Sequence, residues 1–153
     1  MMYEEKKKVM IIAVLLVVLA IILAVFFIRD DKKKVIERST GFEVPSYCTI
    51  EDYRPSGSIF RRTAFEAKIR IDSVQHMNEV IEKAHQLYGD DYHEITLSEY
   101  SVQKYSLFSG VNIIPNPTSV SWVIVGRRTS GSVVMFICIE NDTIPYLYVY
   151  FNK

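Results

Sequence analysis

His93-Glu94 opens like the zinc-protease signature His-Glu-x-x-His, in which two histidines one helical turn apart reach a single metal. Leu97 stands where the second histidine belongs, and the surrounding alternation reads as strand, so no metal site is nominated there. His76 and His85 fall about 180° apart around a helix and cannot share an ion. Asp90, Asp91, His93 and Glu94 form an oxygen-rich cluster of the kind that holds calcium, but just after a helix it reads as a solvated turn. The sequence contains no Gly-x-Ser-x-Gly elbow, Cys-x-x-Cys pair, Walker loop or dinucleotide fingerprint. It therefore nominates no catalytic residue, metal ligand or cofactor.

Other polar features suggest binding. Arg61-Arg62 and Arg127-Arg128 are adjacent pairs, and the second leads into Thr129-Ser130-Gly131, a tight turn whose backbone amides could join two guanidiniums around an anion. Arg127, Arg128 and Ser130 are accordingly candidate anion-binding residues, against the plainer reading of a solvated hairpin end. Arg127 to Ser130 also fits a basophilic kinase site, and Asn141-Asp142-Thr143 fits an N-glycosylation sequon. Tyr146, Tyr148 and Tyr150 share one face of a strand and are candidates for an interaction face, the alternative being a face buried inside the domain. Cys48 and Cys138 are an even pair and a candidate disulfide, worth about 4 kcal/mol by loop entropy. The alternative is two free thiols, since Cys138 lies within the apolar run VVMFICIE.

The elements that would position these residues follow from periodicity. In the strand ending at Ile71, Phe65, Ala67, Ile69 and Ile71 alternate with Glu66, Lys68 and Arg70. Asp72 or Ser73 caps a helix whose Val74, Met77, Val80, Ile81, Ala84, Leu87 and Tyr88 fall in a stripe about 140° wide, and Gly89 stops it. Residues 93–105 read as a strand with a bulge near Glu99, and 110–118 as a proline-marked loop. Residues 120–125, 133–140 and 146–151 read as consecutive antiparallel strands. The fold class is α+β, with one helix on a mainly antiparallel sheet of about five strands. Residues 120–125 and 133–139 are apolar on both faces, so the face away from the helix must also be covered. Its cover is expected from the segment 42–50 folding back, from a second copy, or from a partner.

Ahead of this domain, residues 9–28 read VMIIAVLLVVLAIILAVFFI, without a charge, proline, glycine or hydrogen-bonding side chain. At about 1.5 Å per residue such a helix spans about 30 Å, the thickness of a hydrocarbon core. Lys6 to Lys8 before the run resemble the start of a signal peptide, but the run is too long and its exit, AVFFIRDDKKK, lacks small residues for cleavage. The expected organisation is a basic tail (1–8), a transmembrane anchor (9–28), a juxtamembrane tether and lead-in (29–58), and a soluble domain (59–153).

Charge divides along the same line: residues 1–38 hold eight basic and five acidic side chains, and residues 39–153 ten basic and thirteen acidic ones. A domain of that balance has no global electrostatic reason to bind nucleic acid, and the basic excess lies where anionic head groups would meet it. Lys and Arg flank the run on both sides; the short leading tail tips the expectation toward a domain outside the cytoplasm. The expected function is a membrane-anchored binding or scaffolding module, touching lipid through the anchor and engaging a protein or envelope partner, or a second copy. The alternative is a membrane-tethered hydrolase using His85, His93 and nearby carboxylates.

Overall fold

A computed structural model describes residues 10–20, 31–58, 61–89 and 92–153, the side chains of 57, 58 and 61–63 excepted. The chain divides into two compact units, up to Lys32 and from Lys33 to Lys153. In the first, α1 occupies residues 10–20. Among the described residues no helix is long and apolar enough to cross a membrane, and of the expected anchor, residues 9 and 21–28 lie outside the described residues.

The second unit is α+β. Its helices are α2 (Lys32–Thr40), α3 (Val74–Tyr88) and α4 (Leu97–Leu107), and its strands are β1 (Cys48–Ser58), β2 (Arg61–Ile71), β3 (Tyr92–Ile95), β4 (Ser121–Arg128), β5 (Gly131–Glu140) and β6 (Ile144–Asn152). All strand pairs are antiparallel, in the order β1-β2-β6-β5-β4-β3.

α3 forms where periodicity places it. The Ser73 hydroxyl accepts the His76 N–H at 3.2 Å, and Gly89 at φ 75° ends the helix with its N–H on His85 O. Met77, Val80, Ile81 and Ala84 are buried, whereas Val74 and Leu87, expected in the stripe, face solvent. The buried row packs on Phe65, Ala67, Ile69 and Ile71 of β2, with Met135, Ile137, Leu147 and Val149 of the central strands.

Three expectations are corrected. Within the expected tether and lead-in, Lys32–Thr40 is helical and Cys48–Ser58 is a strand with β-bulges, whose Pro55 is tolerated because β1 is an edge that pairs on one side alone. Residues 93–105 are not one strand, because β3 ends at Ile95 and Thr96 starts a helix. The Thr96 hydroxyl accepts the Glu99 N–H while the Glu99 carboxylate accepts the Thr96 N–H at 2.8 Å, a capping box that overrides the local alternation. The sheet therefore has six strands rather than about five.

The third correction concerns the cover. The far face of the sheet is dry, with Phe136, Cys138, Tyr146, Tyr148 and Tyr150 buried under Tyr100 of α4 and Phe108 and Ile113 of the loop that follows it. Phe42 and Val44 instead join Ile36 of α2 in the core beside α3. The chain covers both faces itself, but with a segment different from the one expected.

Replacing Ile81 by Asp should unfold the domain, since an unpaired carboxylate in this core is costly, while Glu82→Ala should change stability by less than about 1 kcal/mol. Thr96→Ala should cost about 1 kcal/mol through the lost cap. Thermal melts of the three variants check the assignment, and equal melting temperatures for the first two would show the helix phase to be wrong.

Candidate functional site

Two acidic residues on the far face of the sheet organise what lies over it. Glu140, at the end of β5, accepts Lys68 Nζ at 2.8 Å, the Asn116 N–H at 2.7 Å and the Tyr148 hydroxyl. Lys68 Nζ also lies 4.0 Å from the centre of the Tyr146 ring. Glu66, on β2, accepts the Asn112 and Ile113 N–H groups at 2.8 Å each and the Asn112 side-chain amide at 3.1 Å. Tyr150 and Tyr100 donate their hydroxyls to Ile113 O and Pro115 O. Residues 112–116 are thus fastened to the sheet and α4 through their backbone, as a loop lying over an apolar face must be.

The tyrosine row is therefore structural rather than presented: Tyr146, Tyr148 and Tyr150 are buried. Burial pushes the Tyr148 hydroxyl far above its usual range, reinforced by its hydrogen bond to Glu140, and burial likewise raises Tyr150. Tyr100 is pushed up to about 12 by the same desolvation.

The expected anion site is also differently used. Arg127 and Arg128 are successive strand residues, so they point to opposite faces of the sheet. Arg128 Nε donates to Thr40 O at 2.9 Å, joined there by the Tyr88 hydroxyl at 2.7 Å, and the Ser130 hydroxyl donates to Ser39 O at 3.1 Å. These groups satisfy carbonyls at the C-terminal end of α2. Gly41, at φ 72°, lets the chain turn there, where any Cβ would overlap the Arg128 guanidinium. Arg127 is exposed.

Cys48 and Cys138 are free thiols. Cys48 packs at the edge of the α3-side core, Cys138 lies within the opposite one, and β2 and β6 separate their strands. At about 4.8 Å per strand step their Cα atoms cannot approach the 7 Å a disulfide allows. Burial raises both thiols, Cys48 to about 11 and Cys138 further.

The histidines do not converge. The His76 ring stacks on Tyr47 with its Nδ1 2.5 Å from Asp72, the His85 ring stacks on Tyr92, and His93 is exposed. Asp90 and Asp91 lie outside the described residues, among which no group of ligands is arranged for a metal.

Among the described residues two accessible features stand out. One is a cleft of about 290 Å³ between the loop at Ser109 to Val111 and the end of the sheet, with Glu66 and Tyr150 in its lining. The other is the outward face of α4, where Val102 and Tyr105 are each 78% exposed and Leu97 43%. At about 100° per residue these three share an arc of about 140° with Ser98 and Ser101, and that arc carries no charge.

Sequence reasoning set Glu66 and Lys68 on the polar side of an alternating strand and left Glu140 without a role. The signal available was the doubly apolar sheet itself, because acidic residues on a face that must be covered require partners. Comparison with known proteins finds no matching family model, no matching curated protein and no matching solved structure.

The raised tyrosines and thiols set a pH dependence. In the unfolded chain tyrosines ionise near 10, whereas folded Tyr100 holds its proton to about 12. The unfolded state therefore gains by losing protons first, and stability present below about pH 9 should fall as pH rises toward 12. Melting temperature against pH checks this. Alkylation at pH 8 should label Cys48 slowly and Cys138 only after denaturation, with no disulfide-linked species under non-reducing conditions.

Proposed function

We propose that the chain is a single-pass membrane-anchored protein whose unit from Lys33 to Lys153 is a binding or scaffolding module for a protein or envelope partner, with the outward face of α4 as its docking surface. The observation that carries this reading is the exposure of Val102 and Tyr105, 78% each, on a helical arc of uncharged residues bordered by Lys104, whose Nζ lies 5.1 Å from the centre of the Tyr105 ring. Large apolar side chains left wet forgo about 1.5 to 3 kcal/mol each relative to burial, and a partner recovers that. Tyr supplies an apolar ring and a polar tip, a combination enriched where partners meet.

The anchor rests on the uncharged run 9–28, of which 10–20 is helical. The basic side chains on either side of that run suit anionic head groups.

Expressed in cells, the chain should stay in the membrane pellet through alkaline carbonate extraction, and release into the supernatant would remove the anchor. A photo-crosslinking residue at Val102 should give a discrete adduct in intact membranes, stronger than the same group at exposed Gln86 of α3. Val102→Asp with Tyr105→Asp should abolish the association while shifting stability by less than about 0.5 kcal/mol, as exposed sites do. Equal labelling from Val102 and Gln86 would rule out α4 as the docking face.

A further inference from the structure

Glu66 is a buried carboxylate with no cation paired to it among the described residues. Lys68, its neighbour on the same face of β2, is held by Glu140, and Arg70 pairs with Glu51 at 3.4 Å. The groups that do satisfy Glu66 are neutral N–H donors, which stabilise a negative charge without cancelling it. Its Oε2 accepts two of them and Oε1 accepts one. A carboxylate presents about four lone-pair positions, so one direction on Oε1 is open.

Glu66 is 8% exposed and lines the cleft of about 290 Å³. The rest of the described lining is uncharged: Val111, Val134 and Tyr150 form an apolar wall, and Ser56, Ser109 and Asn152 offer hydroxyls and an amide. Within the described lining Glu66 is the one charged group, and its negative field disfavours an anion. A divalent metal needs several oxygen ligands of high charge, and one carboxylate already holding three N–H groups is a poor start. A guanidinium binds best along both oxygens of one carboxylate edge, but Oε2 is fully occupied. An ammonium is a point donor that can take the single open position on Oε1, turn its other protons toward serine hydroxyls, and lay an aliphatic stem on the apolar wall.

We propose that this cleft binds a protonated primary amine on an aliphatic chain, either a lysine side chain of a partner polypeptide or a free alkyl diamine, with Glu66 as the charged floor. The proposal does not depend on α4 or on the anchor, so it stands or falls separately from the reading above.

The test uses the full chain in mild detergent, titrated with a lysine blocked at its α-amine and carboxyl, followed by the backbone amide resonances of Gly110, Val111 and Asn112. Saturable shifts are expected at those amides, and the ε-acetylated form of the same compound should bind at least about tenfold more weakly, the loss that follows from removing a charge-assisted hydrogen bond. Titration with 1,4-diaminobutane separates the two sources: tighter binding of the diamine identifies a free amine, and tighter binding of the blocked lysine identifies a polypeptide. Glu66→Gln should abolish binding. Because that variant also disturbs the loop, Ser109→Trp is decisive, since it fills the cleft from an exposed position and leaves the three bonds of Glu66 in place. No saturation, equal affinity for the acetylated compound, or full binding by a folded Ser109→Trp protein would each overturn the proposal.

Discussion

Strands β5 and β6 carry large apolar side chains on both faces, and the fold is arranged around keeping both faces dry. On one side the solution is the familiar one, an amphipathic helix laid on a sheet, with α2 and the segment after it closing the edge. On the other side the cover is thinner: one short helix that buries only Tyr100 of its own residues, and a loop. A loop over an apolar surface brings backbone amides and carbonyls into a place where water cannot reach them all, and each unpaired group is costly. Glu66, Glu140, Tyr100 and Tyr150 answer that need by supplying acceptors and donors from the sheet and α4.

Burying two carboxylates this way has an electrostatic consequence. Glu140 is balanced by Lys68, whose ammonium also sits over the Tyr146 ring. Among the described residues Glu66 is balanced by dipoles alone. Both sites are built on an acidic strand residue, yet Glu140 is closed upon its lysine and Glu66 keeps its charge beside an open cleft. The difference lies in the register of β2, which places Lys68 opposite Tyr148 and Glu66 opposite Tyr150, two pairs further from Glu140.

Much of this arrangement is legible in the sequence where one physical signal dominates. The spacing of Met77, Val80, Ile81 and Ala84 has no other good solution than a helix on a core, and the Ser73 and Gly89 caps agree with it. The demand for a second cover is equally readable from Val133 to Ile139. Where two signals compete, the local reading goes astray. Pro55 and Gly57 outweigh the strand propensity around them unless the segment is known to be an edge. Residues 97–105 alternate weakly, and only the Thr96 and Glu99 pair, a capping box written in the sequence, distinguishes the helix. The roles of Arg128 and Ser130 are long-range, set by a helix end some ninety residues earlier, and no local pattern encodes them.

That junction at Thr40 and Ser39 also decides how the domain would carry load. Chain entering from the N-terminal side leads through α2 into β1, an edge strand that tension could peel from the sheet one hydrogen bond at a time. Arg128 and Ser130 tie the end of α2 to the β4–β5 hairpin, and Tyr88 ties it to α3. A pull arriving along α2 is therefore received by three elements of the interior before it reaches β1. The fold has, in effect, a strain relief at the point where its cable enters.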